Sequence, residues 1–309
     1  MKQSETKKNI INILKQFSVE TGIPLQFIEK DIYVLKVLSV LSKINYPDIK
    51  IVFTGGTCLS KAYEKIKRFS EDMDFCIHTN IPFSRKDKSN LRKFIISELN
   101  KSNDFKVIDN NIKITDESSF FSFEIEYDKD FEISSNLRKN IKIEFKFENL
   151  QMPSKNCELK TLVHQFINDE TVNFDCINVL EVAANKYSAL LWRTFIKDRT
   201  QPVNTPKNDP TIMRHLYDIA ALENDIKNTE FIKLIKYSCN KDTGRGGVEH
   251  KYSIEEFSKI ILDKLQSDKL FKEEYINFVD TMCYSRNKIS FDDAIKSLKN
   301  IVDYITQSL

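Results

Sequence analysis

The chain has 309 residues, 41% of them hydrophobic and 30% charged, enough for one large domain or two ordinary ones with a real core. Lys and Arg total 47 against 45 for Asp and Glu, so a net charge of +2 supplies no overall basic footprint for a nucleic acid. No apolar run reaches the ~18 residues of a membrane-spanning helix and the start lacks a signal-peptide pattern, while six scattered cysteines with no CxxC pair exclude a disulfide framework or zinc site and lead us to expect reduced thiols in a cytoplasm.

In chain order, residues 4–19 and 25–44 carry apolar positions at helical spacing, the second through Ile28, Ile32, Leu35, Leu38 and Leu41, and both are predicted as helices. The run 49–56, IKIVFTGG, reads as a strand ending in a glycine turn. A helix is predicted over 57–67 and a second strand over 73–78. Farther on, 120–128 alternates with period two and places Phe121, Phe123, Ile125 and Tyr127 on one face. The stretch 141–150 puts Ile141, Ile143, Phe145 and Phe147 on one face and Lys142, Glu144, Lys146 and Glu148 on the other. These two segments are expected to pair antiparallel through residues 129–140. Pro202, Pro206 and Pro210 crowd one polar stretch, and no proline follows in the last 99 residues, which read as helices. The fold class is therefore α+β: a mixed sheet flanked by helices over 1–165, then a mainly helical domain over 166–309.

The chemistry is concentrated in 52–78, VFTGGTCLSKAYEKIKRFSEDMDFCIH. Only six glycines occur in the chain, so an adjacent pair at Gly55 and Gly56 is informative. Glycines after a strand let backbone approach a phosphate, and Thr57 would turn helix N–H groups toward the same anion. Asp72 and Asp74, two apart on a strand, share a face and can share a divalent cation, with Met73, Phe75 and Ile77 on the opposite, buried face. Mg²⁺ is held by one or two carboxylates plus substrate phosphate oxygens. Asp-x-Asp alone also occurs on ordinary surface strands. Glu144, on the polar face of a strand that could neighbour this one, is either a third metal-holding carboxylate or a partner of Lys142 or Lys146. Lys186 lies in an otherwise apolar helix and must find a charge partner or reach solvent. Asp218 follows Arg214 by four, the spacing of a helical ion pair.

Five motifs, in order, carry a family resemblance: Glu29-Lys30-Asp31, Gly55-Gly56-Thr57 through Lys61, RFSEDMD from Arg68 to Asp74, EVAANKYSALLWR from Glu181 to Arg193, and RHLYD from Arg214 to Asp218. With them the chain resembles the AbiEii-like nucleotidyltransferases, toxin components of type IV toxin–antitoxin and abortive-infection systems that include the MenT group. Fifteen residues separate Gly56 from Asp72, longer than is usual in the wider polymerase-β-like superfamily, and Thr57 stands where many of its members have serine.

The resemblance implies a polymerase-β-like nucleotidyltransferase domain followed by a helical domain, and a Mg²⁺- or Mn²⁺-dependent transfer of a nucleoside monophosphate from an NTP donor to an acceptor hydroxyl. Asp72, Asp74, Lys186 and Asp218 would be catalytic, with Asp72, Asp74 and Glu144 on the metal. Gly55, Gly56, Thr57, Lys61, Arg68, Ser70, Arg193 and Arg214 would bind the nucleotide, whose triphosphate is expected between the glycine turn and Lys186. Asp218 would act as a base or hold Lys186, and Arg193 would meet phosphate or Asp218. Lys61 could equally be a solvated lysine, and Ser70 a turn cap. The acceptor implied by the MenT group is the tRNA 3′ end, and a cognate antitoxin is an expected partner. RNA contact would fall to local patches, Lys61, Lys65, Lys67 and Arg68, or Lys197, Arg199 and Arg245. The loop 241–250 reads as an inter-helix connection or a clamp on an acceptor phosphate. A small-molecule or protein nucleotidyltransferase, and a nucleotide-binding module without turnover, are the alternatives.

Overall fold

The computed structural model describes residues 2–132, 137–245 and 251–309, with side chains from residue 8 onward. By compactness the chain divides into two units: Met1–Glu64 with Arg68–Ile177, and Lys65–Lys67 with Asn178–Leu309. The first unit contains α1 (Lys2–Thr21), α2 (Leu25–Leu41), β1 (Ile49–Thr54), α3 (Gly55–Lys61), β2 (Asp72–Thr79) and α4 (Arg85–Leu99). It continues through β3 (Phe105–Val107), β4 (Lys113–Thr115), β5 (Phe120–Tyr127), β6 (Ile141–Phe147), β7 (Lys155–Leu159), α5 (His164–Ile167) and β8 (Val172–Cys176).

Among the described residues these strands form one mixed sheet in the order β3-β5-β6-β2-β1-β8-β7, with β4 beside β5. β5 and β6 pair antiparallel, as their alternation predicts. β2 lies antiparallel to β1 and parallel to β6, so the Asp-x-Asp strand is central. The apolar face is built from aromatic rings that follow one another across the sheet. Phe121 stacks on Phe145, Phe145 on Phe75 and Phe75 on Phe53, with centroids 4.9, 5.0 and 5.3 Å apart. Each such pair contributes about 0.5–1.5 kcal/mol beyond its buried area. A register slip by one residue would turn these rings to the other face, so the ladder also fixes where Asp72 and Asp74 point.

The expected domain break at 165 falls inside the first unit. β8 pairs in parallel with β1 through Phe53 and Cys176, and antiparallel with β7, so the chain does not leave the sheet until Ile177. A five-residue strand shows too little periodicity to be read locally. The helix predicted over 57–67 is shorter: α3 ends at Lys61, and Glu64 has a left-handed φ of 51°.

The second unit is helical: α6 (Val179–Ile196), α7 (Ile212–Ala221), α8 (Glu223–Ile226), α9 (Thr229–Asp242), α10 (Ile254–Ser267), α11 (Lys269–Met282) and α12 (Phe291–Ser308). Polar side chains start the longer ones. Asn178 accepts from the Leu180 amide, Ser253 and Glu256 form a capping box on α10, and Ser290 accepts from the Asp293 amide. In α12 the buried residues Phe291, Ala294, Ile295, Leu298, Ile301, Val302 and Ile305 recur at three and four, one apolar stripe along the helix. Among the described residues no helix is long and apolar enough to cross a membrane.

Candidate active site

β1 passes into α3 without intervening turn residues, and the glycines make this possible. Gly55 has φ +76°, and a Cβ built on it would lie 2.0 Å from Asp74 Oδ2 and 2.8 Å from its Cγ. A Cβ on Gly56 would lie 2.7 Å from Arg68 Nη2 and 3.0 Å from Ser70 Oγ. The space that glycine leaves is therefore filled by the Asp74 carboxylate on one side and by Arg68 and Ser70 on the other. Thr57 is buried, and its hydroxyl donates to the Asp72 carbonyl at 2.5 Å, fastening α3 to the start of β2.

The residues leading into Asp72 are each anchored. The Arg68 guanidinium is buried against Gly56 and donates to the Phe69 carbonyl at 2.9 Å. The Phe69 ring stacks on Phe27 of α2 with centroids 3.8 Å apart. Buried Glu71 accepts the Arg138 amide at 2.5 Å. RFSED thus holds the strand that presents the two aspartates. Arg68, expected on the nucleotide, is buried beside the glycine pair.

On β2, Met73, Phe75 and Ile77 are buried, and Asp72 and Asp74 occupy the other face. Register sets Asp74 opposite Glu144 and Asp72 opposite Lys142 on β6. Of the two readings of Glu144, the structure shows the ion pair: its carboxylate is bonded to Lys142. Burial pulls the Lys142 pKa down, but the hydrogen bond and charge of Glu144 outweigh it and the net shift is upward. Asp72 Oδ1 is buried and accepts no hydrogen bond; the Arg138 Nη1 lies 3.4 Å away as an ion pair.

Three consecutive charges on α2, Glu29, Lys30 and Asp31, bind three separate stretches of chain. Glu29 Oε1 accepts the Asp130 amide at 2.7 Å, and Lys30 Nζ donates to the Arg138 carbonyl at 3.0 Å. Asp31 accepts the Leu162 amide at 2.7 Å and pairs with Lys61 Nζ at 2.7 Å. Lys61 also donates to the Lys160 carbonyl at 2.8 Å. It is not the solvated lysine of the alternative reading, because Asp31 and a carbonyl hold its ammonium out of solvent. Burial lowers the Lys30 pKa to about 8, against the raising charges of Glu71 and Asp72. Burial likewise raises that of Glu29. Sequence reading assigned no role to Lys30, Glu71 or Arg138. Its available signal was two adjacent charges, Glu29 and Lys30, on the buried side of an apolar helix.

In the second unit, Lys186 Nζ meets Asp218 Oδ2 at 2.6 Å, with Lys186 buried and Asp218 fully so. The two carboxyl-terminal motifs are thereby joined, and the reading of Asp218 as the holder of Lys186 fits this contact. Arg193 is bonded to Asp209, with its guanidinium 4.7 Å from the Trp192 ring centroid. Its partner is Asp209, from the proline-bearing loop, and not Asp218. Arg214 is half-buried on α7.

The family model of the nucleotidyl transferase AbiEii toxin, of the type IV toxin–antitoxin system, matches residues 40–297. The chain belongs to this family. The match contains the glycine pair, both aspartates, Lys186 and Asp218, and begins after Glu29, Lys30 and Asp31. Among solved structures, MenT4, a nucleotidyltransferase toxin from Mycobacterium tuberculosis H37Rv, is 16% identical, with a TM-score of 0.57 over 89% of this chain and 82% of that one. A structure ascribed to a nucleotidyltransferase from H. pylori is 14% identical, with a TM-score of 0.47 over 92% of this chain and 96% of that one. The first likeness shows the fold. No curated protein matches the sequence.

The donor set of this AbiEii-family chain fits a hard divalent cation. Asp72 offers a buried carboxylate oxygen without a hydrogen bond, and Asp74 lies on the same face. Among the described residues no group of three or more His, Cys, Asp or Glu side chains could hold a metal ion. Glu144, expected with Asp72 and Asp74 on the metal, therefore does not join them in such a group. The basic patches expected for RNA are not free cation stripes. Arg68 is buried, the Lys61 side chain is 6% exposed on Asp31, Lys65 pairs with Asp225, Lys197 donates to the Asp209 carbonyl, Arg199 bridges Asp268 and Glu274, and Arg245 pairs with Asp242, which leaves Lys67 as the exposed cation of the first patch. Residues 246–250 of the glycine loop lie outside the described residues.

Proposed function

We propose that this AbiEii-family protein transfers a nucleoside monophosphate from an NTP to an acceptor hydroxyl, with Mg²⁺ or Mn²⁺ held by Asp72 and Asp74. The observation that carries the reading is the seating of the Asp74 carboxylate over Gly55, beside an Asp72 oxygen that is buried and accepts no hydrogen bond. Both carboxylates are positioned by backbone and sheet register, so little reorganisation is needed when charge arrives. The cation, when bound, neutralises charge on the triphosphate and polarises the reacting phosphorus. The chain's own part is positioning. Thr57 fixes the Asp72 backbone, the glycines admit Asp74, and the aromatic ladder holds β2 in register. Lys186, held by Asp218, is assigned to the triphosphate by the resemblance, which a compact positive charge suits.

The acceptor supported by the resemblance to the MenT group is the 3′ end of tRNA, and blocked translation would be the toxic outcome. A cognate antitoxin is the partner that type IV membership implies. One observation favours a second reading, a small-molecule or protein acceptor: all of the expected RNA-binding cations except exposed Lys67 are paired with carboxylates or buried. The test is incubation of the protein with each α-³²P-labelled NTP, Mg²⁺ and total cellular RNA, followed by gel separation. Label in the tRNA band supports the first reading. Label only in protein or small-molecule fractions selects the second, and no transfer to any acceptor pool removes both.

A further inference from the structure

The row Glu29-Lys30-Asp31 lies before the region matched by the family model, and its middle residue does something unusual. Lys30 is 5% exposed, yet its ammonium is spent on one backbone carbonyl, that of Arg138, 108 residues away. The amide of the same residue is taken by Glu71, which is also buried. Two buried charges of opposite sign therefore grip the two backbone polar groups of a single residue. Burying a charged group carries a penalty of several kcal/mol unless hydrogen bonding compensates it. A neutral pairing would have served to hold a loop. What the grip achieves is a fixed backbone under a side chain that is 48% exposed and whose guanidinium stands 3.4 Å from Asp72 Oδ1.

The neighbouring cations have other duties. Arg68 is buried beneath Gly56, Lys61 is on Asp31, and Lys142 is on Glu144. The face of β2 and β6 also gathers Asp72, Asp74 and Glu144, an arrangement that repels a polyanion such as a triphosphate. Of the cations just named with Lys30, Arg138 alone combines an exposed head with a fixed base at this face. Its contact with Asp72 is an ion pair and not a hydrogen bond, so it is easily exchanged. Once Asp72 is given to a divalent cation, like charges compete for one carboxylate and the guanidinium is released from it. A planar, multi-donor cation is suited to bidentate phosphate binding.

We propose that Arg138 binds the phosphates of the donor nucleotide in the first unit, and that Lys30 and Glu71 are positioning residues that clamp its backbone. This rests on the nucleotidyltransferase reading above. The probe is inorganic triphosphate with Mg²⁺, titrated calorimetrically into the full chain, with kcat and KM for the active NTP measured in parallel. Arg138→Ala is expected to weaken triphosphate binding and raise the NTP KM by about 10–100-fold, while kcat changes less than about threefold. Arg138→Lys should fall between, because a lysine loses the bidentate geometry. Lys30→Met and Glu71→Met, which remove the donor and the acceptor of the clamp, should each raise KM by about 5–10-fold with near-normal kcat. Combined with Arg138→Ala they should add almost nothing, since they act through it.

Circular dichroism and thermal unfolding identify any variant that fails to fold; whichever of Lys30→Met and Glu71→Met stays folded then carries the cycle. Equal triphosphate affinity in Arg138→Ala and wild type, with binding abolished in Asp72→Ala, overturns the role of Arg138 and leaves the enzyme reading standing. Losses from Lys30→Met or Glu71→Met that multiply with that of Arg138→Ala overturn the positioning role. A wild-type protein that neither binds triphosphate nor transfers label removes both the enzyme reading and this inference.

Discussion

Two Asp–cation pairs, one in each unit, are built to opposite specifications. Lys186 and Asp218 meet at 2.6 Å, and the Asp218 side chain has no solvent exposure. Arg138 and Asp72 are 3.4 Å apart, with nearly half of the arginine side chain in solvent and the nearest carboxylate oxygen free of hydrogen bonds. The first pair has lost its hydration and is strongly coupled, so neither partner can change without the other. The second is screened and weakly coupled, so the partner of Asp72 can be exchanged. A site that must take up and release a charged ligand needs the second kind at the ligand and tolerates the first kind only as scaffold for a positioned charge.

Five substitutions sharpen or break this contrast. The largest effect is expected at the exchangeable end: Asp72→Ala and Asp74→Ala should each reduce nucleotide transfer by at least ~10³-fold while the protein stays folded. Gel assay beside circular dichroism checks this, and a fully active variant removes the assignment. At the buried pair the loss should be in stability. Asp218→Ala strands a buried ammonium and is expected to lower unfolding free energy by about 3–5 kcal/mol, read from denaturant midpoints. A shift under ~1 kcal/mol would show that Lys186 escapes to solvent.

Gly55→Ala comes next. A methyl 2.0 Å from the Asp74 carboxylate, on a residue with φ +76°, should cost about 1–3 kcal/mol and displace that carboxylate, so activity should fall with stability. Full activity in that variant would break the link between the glycine and Asp74. The smallest change in stability is expected from Arg138→Ala, within about 1 kcal/mol and shrinking further with added salt. A loss as large as that of Asp218→Ala would mean the two pairs are not different in kind.

Sequence alone determined the parts whose reasons are local. Alternation with period two settled which faces of β5 and β6 are buried, and the scarcity of glycine marked Gly55 and Gly56. The ordered motifs pointed to the AbiEii family and to Asp72, Asp74, Lys186 and Asp218 as candidate catalytic residues. Periodicity identifies a face, however, and not the atom a side chain meets on it. Lys61 and Arg68, legible as nucleotide or RNA contacts, have their side chains buried on Asp31 and beside Gly56; Glu144, legible as a metal-holding carboxylate or as a lysine's partner, is bonded to Lys142; Arg193 is bonded to Asp209. Arg138 carried no local mark at all. It gained its place when Lys30, 108 residues earlier, and Glu71, 67 residues earlier, closed on its backbone. Charge partners are chosen within a few ångström of three-dimensional space, where removal of water decides how much each contact is worth, and only the tertiary structure sets those distances.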